Sequence, residues 1–302
     1  MRKLSVNIAG VEWKNPVTVA SGTFGSGAEY SEFVDLNKLG AVTTKGVASV
    51  PWQGNPTPRV AEVYGGMLNA VGLQNPGIDL FLERDIPFLK QYDTRIIVNV
   101  CGHATEEYVS VAERLSDAPI DMMEINISCP NVKEGGIAFG TNADAVYAIT
   151  REVKRHAKQP IIMKLSPNVT DITEIARAAE EGGADAISLI NTITGMKIDI
   201  DKRTFVLANR TGGMSGPAIH PVAVRMVYQC AQAVQVPIIG MGGIMNAADA
   251  VEMILAGATA VSVGTANFTD PRASERIVAG IEAYMQQYGV EDVRELIGAV
   301  HG

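Results

Sequence analysis

The sequence predicts an α/β fold: a (β/α)8 TIM barrel with an N-terminal β-hairpin and long active-face loops. Three observations predict it. Eight short apolar runs recur along the 302 residues, amphipathic segments lie between most of them, and polar or glycine residues follow nearly every run. The runs fall at 17–20, 41–44, 96–100, 122–127, 161–165, 186–190, 237–240 and 260–263. They are rich in Val, Ile and Ala with little alternation, as parallel strands buried on both faces should be.

The segments between them carry apolar residues at helical spacing. They are 78–91, 106–115, 143–158, 171–181, 221–234, 247–256 and 271–288. Thr105, Asn142, Thr170 and Asn246 are placed to cap four of them, and Pro221 suits a first helical turn. An open doubly wound sheet is the competing arrangement. The barrel is preferred because it gathers the polar strand ends on one rim, whereas an open sheet scatters half of them away from its switch point. Residues 4–8 and 11–13, joined by Ala9-Gly10, read as a hairpin suited to plug the bottom. Two long polar insertions, 46–76 and 191–218, sit on the active face, where long loops serve as lids or clamps. No internal repeat or low-complexity stretch divides the chain, so 1–302 reads as a single domain.

Composition narrows the partners. A net charge of −8 argues against nucleic acid, although a local lysine can still attract an anionic substrate. Three cysteines, Cys101, Cys129 and Cys230, fit reduced thiols and a cytoplasmic location, and are too few to ligate an iron–sulfur cluster on this chain. The N-terminus lacks a signal-type apolar core, and no run approaches the roughly 18 apolar residues of a membrane span. No Cys/His or carboxylate spacing suggests a metal. His103, His156, His220 and His301 make no convincing triad and read as surface or helix-end residues for the most part.

Four features carry chemistry. Asn126-Ile-Ser-Cys-Pro-Asn131 presents a thiol between two amides at a strand end. A lone Cys is most often a buried structural residue, but three polar neighbours are not what an inert thiol needs, so Cys129 is a candidate base. Gly242-Gly243 after the seventh strand and Gly264-Thr265 after the eighth occupy the common phosphate site of barrels. One Gly-Gly pair alone would be a plain turn; a Gly-Gly and a Gly-Thr pair at adjacent strand ends predict a phosphate-bearing ligand without saying which. Lys45 and Lys164 end the second and fifth strands. Either alone could be a rim lysine; together they favour an anion-binding role. Asn69, Asn99, Asn126, Asn131 and Asn191 both donate and accept, which suits a flat heterocycle with imide groups. Asn55 and Asn75, beside prolines, read as turn residues.

The chain resembles the class 1 dihydroorotate dehydrogenases over essentially its whole length. The motifs that carry the resemblance are Ala20-Ser-Gly-Thr-Phe-Gly, Thr44-Lys-Gly, Asn69-Ala-Val-Gly-Leu-Gln-Asn-Pro-Gly, Asn126-Ile-Ser-Cys-Pro-Asn, Met163-Lys-Leu-Ser-Pro, Gly212-Gly-Met-Ser-Gly-Pro, Gly240-Met-Gly-Gly-Ile and Val263-Gly-Thr. The motif beginning at Asn69 is most like the NAD-linked class 1B. The resemblance implies oxidation of (S)-dihydroorotate to orotate in pyrimidine biosynthesis, with Cys129 taking the C5 proton and the C6 hydride passing to FMN. It implies substrate contacts from Lys45, Asn69, Ala70, Val71, Gly72, Leu73, Asn126, Asn131, Asn191 and Thr192. It implies an FMN site made by Ala20, Ser21, Gly22, Lys45, Gly46, Asn99, Asn126, Lys164, Ile190, Gly216, Gly242, Gly243, Gly264 and Thr265, with Lys164 near N1 and O2 of the ring. The segment 193–210 would be a mobile lid. FAD and a 2Fe–2S cluster are expected only on a partner subunit, in a heterotetramer built on a homodimer of this chain.

Other readings stand beside this one. A class 1A enzyme would pass electrons to fumarate. A non-redox sugar-phosphate lyase or isomerase is compatible with the phosphate loops alone, as is a non-catalytic flavin or nucleotide binder. A dihydropyrimidine or dihydrouracil is a rival substrate within the flavin reading.

Overall fold

A computed structural model describes residues 2–127 and 139–301. The chain opens with a hairpin, β1 (Val6–Ile8) paired antiparallel with β2 (Val11–Trp13). Val6, Ile8 and Trp13 are buried in the main core, and the Glu12 carbonyl accepts from Arg95 Nε at 2.8 Å. Arg95 begins a barrel strand, so the hairpin lies at the N-terminal end of the barrel, as expected from the sequence.

The barrel strands follow in chain order: β3 (Val17–Val19) and β4 (Ala41–Thr43), then, after the rim strands β5 (Val60–Val63) and β6 (Gly66–Asn69), β7 (Arg95–Val100), β8 (Met122–Asn126), β9 (Ile161–Lys164) and β10 (Ala186–Leu189). Four further rim strands come next, β11 (Ile193–Met196), β12 (Ile198–Asp199), β13 (Thr204–Phe205) and β14 (Thr211–Ser215), before the last two barrel strands, β15 (Ile238–Met241) and β16 (Ala260–Val263). The eight barrel strands are all parallel, in the order β3-β16-β15-β10-β9-β8-β7-β4. Burial on both faces leaves β4, β8, β9, β10, β15 and β16 without an exposed residue.

The ends of this sheet, β3 and β4, meet at a seam. Gly40 N–H donates to the Val17 carbonyl at 3.0 Å, and the buried hydroxyls of Thr18 and Thr43 lie 3.1 Å apart. Asn15 clamps the seam. Its Oδ1 accepts from Val17 N–H and Gly40 N–H, both at 3.1 Å, and its Nδ2 donates to the Lys38 carbonyl at 2.8 Å. Gly40 must lack a side chain because a Cβ there would stand 1.9 Å from the Asn15 carbonyl oxygen.

The helices that coat the barrel are α1 (Ile78–Leu80), α2 (Ile86–Leu89), α3 (Thr105–Ser116), α4 (Ala143–His156), α5 (Ile172–Glu181), α6 (His220–Ala231), α7 (Ala247–Leu255), the short α8 (Ala266–Thr269) and α9 (Ala273–Tyr288). The segment expected as one helix over 78–91 is interrupted between α1 and α2 by a π turn, Phe81–Asp85. Pro87 has no N–H to complete an i to i−4 ladder, which accounts for the local change of hydrogen-bond register. Asn142 and Asn246 cap α4 and α7, and Asn246 forms a full capping box with Asp249. The other two expected caps are corrected. Thr105 is already inside α3, whose N-cap is Ala104, and α5 is capped by Asp171, which accepts from Thr173 N–H at 2.9 Å, not by Thr170.

The two insertions are more ordered than the loops the sequence suggested. They pair with each other in a four-stranded antiparallel sheet, β11-β14-β6-β5, joining 60–69 to 193–215 across the rim. Within 193–210, β12 and β13 form a further small hairpin. Among the described residues, no helix is long and apolar enough to cross a membrane.

Candidate active site

The C-terminal ends of the barrel strands and the rim sheet line one pocket. Each barrel strand end supplies part of the wall or the layer behind it. Ala20, Ser21 and Gly22 follow β3, and Lys45 and Gly46 follow β4. Asn126 ends β8, Lys164 ends β9, and Ile190, Asn191 and Thr192 follow β10. Gly242 and Gly243 follow β15, and Gly264 and Thr265 follow β16. Asn69, Val71, Gly72 and Leu73 enter from the rim. Eighteen of the residues singled out in the sequence thus line one cavity.

Five others stand differently. Ala70 is buried away from the pocket, against Ala61, Leu68 and Leu207. Gly216 lies directly behind Gly243 rather than on the wall. Asn99 is fully buried one layer below, donating its amide to Glu124 at 2.6 Å. Cys129 and Asn131 lie outside the described residues.

Local hydrogen bonds fix the rim loop. Asn55 Nδ2 donates to the Ala70 carbonyl at 3.0 Å, and Asn55 N–H to the Val71 carbonyl at 3.0 Å. Asn75 Oδ1 accepts from Ala48 N–H and Gly77 N–H, tying the stretch after β4 to the far end of the loop. Gly72 has φ +75° and no room for a Cβ, which would stand 2.7 Å from Asn55 N. Asn69 Nδ2 reaches the Gly213 carbonyl of the neighbouring strand at 3.4 Å.

On the opposite side, Gly242 (φ +126°) and Gly243 (φ +68°) form a cradle. A Cβ on Gly243 would fall 2.8 Å from Gly216 O and 2.9 Å from His220 N. His220 opens α6, a helix-end position as expected, and its ring is buried behind this loop, with Nδ1 2.8 Å from the Gly242 carbonyl and Nε2 3.2 Å from Glu252. Thr265 Oγ1 donates to Ser215 Oγ at 2.7 Å beside the cradle.

Among the described residues lining the pocket, the only charged side chains are Lys45 and Lys164, so the cavity is cationic inside a chain of net charge −8. Lys164 is buried, with Nζ 3.4 Å from Ser21 Oγ and 3.7 Å from Glu124 Oε1. Sequence reading missed Glu124, which is hidden in an apolar strand, and the lining residues Thr23, Val60, Met67, Ser215, Ile219, Met241, Ser262 and Phe268. Of these, Thr23, Ser215 and Met241 had a signal, because they lie inside the motifs Ala20-Ser-Gly-Thr-Phe-Gly, Gly212-Gly-Met-Ser-Gly-Pro and Gly240-Met-Gly-Gly-Ile. Among the described residues, no cluster of three or more His, Cys, Asp or Glu is arranged to hold a metal ion.

The pocket suits a flat, anionic, phosphate-bearing group. Gly242 and Gly243 pack too closely on Ala223, Gly216 and His220 to carry a Cβ and bring backbone onto the wall, a buried lysine supplies an ammonium, and amides and small residues share the rest with apolar side chains such as Met67, Ile190 and Phe268. The sequence matches the family model described as dihydroorotate dehydrogenase over residues 3–285. It is 68% identical to a protein of Lachnoclostridium phytofermentans named dihydroorotate dehydrogenase B (NAD(+)), catalytic subunit, over 98% of this chain and 99% of that one. Proteins of the same name from Alkaliphilus oremlandii and Geotalea uraniireducens are 65% and 57% identical, each over 98% of both chains. A parallel eight-stranded barrel, a cationic pocket at its C-terminal rim and this extent of sequence identity place the chain in the dihydroorotate dehydrogenase family.

Proposed function

We propose that this chain oxidises (S)-dihydroorotate to orotate as the FMN-bearing catalytic subunit of an NAD-linked dihydroorotate dehydrogenase, acting in the cytoplasm as a single domain. The observation that carries the reading is the pocket itself: two lysines and no carboxylate among its described lining residues, with a glycine cradle at one end and amides at the other.

The roles follow from the chemistry of each group. Gly242, Gly243, Gly264 and Thr265 suit the phosphate, offering backbone N–H groups and a hydroxyl on the pocket wall. Ala20, Ser21, Gly22, Gly46, Ile190 and Lys164 suit the ring system. FMN, when bound, supplies the two-electron acceptor for the hydride from C6 of the substrate. Cys129 takes the C5 proton, so that the C5–C6 double bond forms as the C6 hydrogen departs with its electron pair. Lys45 and the amides of Asn69, Asn126, Asn131 and Asn191, with Thr192, hold the pyrimidine carbonyls and the carboxylate. The segment 193–210, which pairs with β14 through β11, serves as a mobile lid over the substrate. Electrons then leave for NAD through a partner subunit bearing FAD and a 2Fe–2S cluster, in a heterotetramer.

The test is an anaerobic titration of the FMN-loaded protein with dihydroorotate, with Cys129→Ala in parallel. Bleaching of the flavin band in the wild type and not in the variant supports both the reaction and the base. No bleaching of a protein that holds FMN overturns the substrate. Steady-state turnover with NAD that requires the partner subunit supports the NAD-linked assignment, and turnover with fumarate alone replaces it with the fumarate-linked class.

A further inference from the structure

Beneath the pocket floor lies a carboxylate that this mechanism does not use. Glu124, in the middle of β8, is 3% exposed. Its Oε1 accepts from Asn99 Nδ2 at 2.6 Å and stands 3.7 Å from Lys164 Nζ, and its Oε2 accepts from Ser188 Oγ at 2.8 Å. The three partners come from β7, β9 and β10, so the carboxylate ties together strands on both sides of its own.

A buried ion pair is a weak device for stability, because apolar residues of similar volume serve as well or better. Its place in the barrel suggests another purpose. Lys164 reaches the pocket wall while Glu124 is not on it. The ammonium therefore faces the cofactor cavity with a fixed negative charge behind it. Asn99, held by the same carboxylate, lies under Gly46, where an added Cβ would come within 2.9 Å of Asn99 Oδ1.

We infer that Glu124 is a positioning residue that holds Lys164 and Asn99 against the flavin site and sets the cofactor's reduction potential by partly offsetting the lysine charge. The inference rests on the flavin reading above. Uptake of a hydride adds one negative charge to the ring system, and a bare ammonium beside it would over-stabilise that charge and slow its passage to the next carrier. Glu124 restrains the effect.

The experiment measures the reduction potential of the FMN-loaded holoenzyme by dye equilibration, for the wild type, Glu124→Gln and Glu124→Asp. Gln is close in shape and can still bond Asn99 and Ser188, but has no charge. Its potential should rise by at least the equivalent of a tenfold change in the two-electron equilibrium, about 30 mV. Asp keeps the charge but draws it back from Lys164, and should shift the potential in the same direction by less than half as much. A purely structural role would lower the melting temperature and leave the potential of the loaded protein unchanged. That result, or a fall in potential, overturns the inference and leaves the flavin reading standing. If Gln does not accumulate as folded protein, Asp carries the test, and no shift in Asp overturns it. A wild-type protein that binds no added FMN overturns both.

Discussion

Replacing Asn15 with Ala tests how the barrel is closed. Asn15 is 4% exposed and spans the seam between β3 and β4 with three hydrogen bonds. In Asn15→Ala, Gly40 N–H keeps the Val17 carbonyl, but Val17 N–H and the Lys38 carbonyl lose the partners that Asn15 gives them. An orphaned buried polar group costs about 1–3 kcal/mol, and because the Lys38 carbonyl is only partly buried the pair should cost about 2–3 kcal/mol. In a chain of 302 residues that is a fall of roughly 3–5 °C in melting temperature. Urea unfolding followed by circular dichroism gives the free energy, and flavin fluorescence in the same titration reports the site. Because Ser21 and Gly22 follow one seam strand and Lys45 and Gly46 the other, FMN should be released at lower urea than in the wild type. Asn7→Ala, which removes one exposed turn contact to Gly10 N–H, is the control and should cost less than about 1 kcal/mol. A loss below about 1 kcal/mol for Asn15→Ala would refute the view that this clamp holds the seam.

Three further outcomes are expected. Gly243→Ala adds a Cβ against Gly216 O and His220 N at a backbone with φ +68°, and should weaken FMN binding about tenfold or more, read by fluorescence titration of the apoprotein. Burial, followed by the nearby Asp171, pushes the Cys230 thiol up to about 12, so it should resist iodoacetamide at about pH 8 until the protein unfolds, as scored by mass spectrometry. The side-chain hydrogen bond from Arg294 holds the Asp292 carboxyl down at about 2, from an ordinary 3.8. A depressed folded pKa stabilises above the unfolded value and is lost as pH falls through the folded one. Asp292→Asn should therefore remove part of the loss of urea resistance between about pH 5 and pH 3; an unchanged pH profile would count against it.

The barrel was legible because its strands are buried on both faces. Runs such as Ile161-Ile-Met and Ala260-Val-Ser-Val can hardly be anything else when glycines and polar residues punctuate them. The strand-end site followed from that placement, since Lys45, Lys164, Gly242-Gly243 and Gly264-Thr265 fall on one rim wherever the strands are parallel. The rim sheet was not legible. Its strands include Ile-Thr-Gly-Met and Thr-Gly-Gly-Met-Ser, whose glycines erase the alternation that marks a half-buried strand, and β6 and β14 pair across more than a hundred residues of chain. The cap errors at Thr105 and Thr170 are one-residue shifts between side chains that compete to cap the same turn or leave it uncapped. Glu124 was invisible because one acidic residue in an apolar run reads as a breach of pattern until its three partners, on three other strands, are seen around it.

The pairing of the two insertions constrains any redesign of substrate scope. Strand β6 comes from one insertion and β14 from the other, and each covers an edge of the other's backbone. Grafting either segment alone into a related barrel would leave a row of unsatisfied amides and carbonyls open to strand addition from a neighbouring molecule. Residues 46–76 and 191–218 are therefore one interchangeable cassette written in two places along the gene. A directed-evolution library that shuffles them independently would spend most of its members on aggregating chimeras, while one that swaps them together would explore new specificities on an intact scaffold.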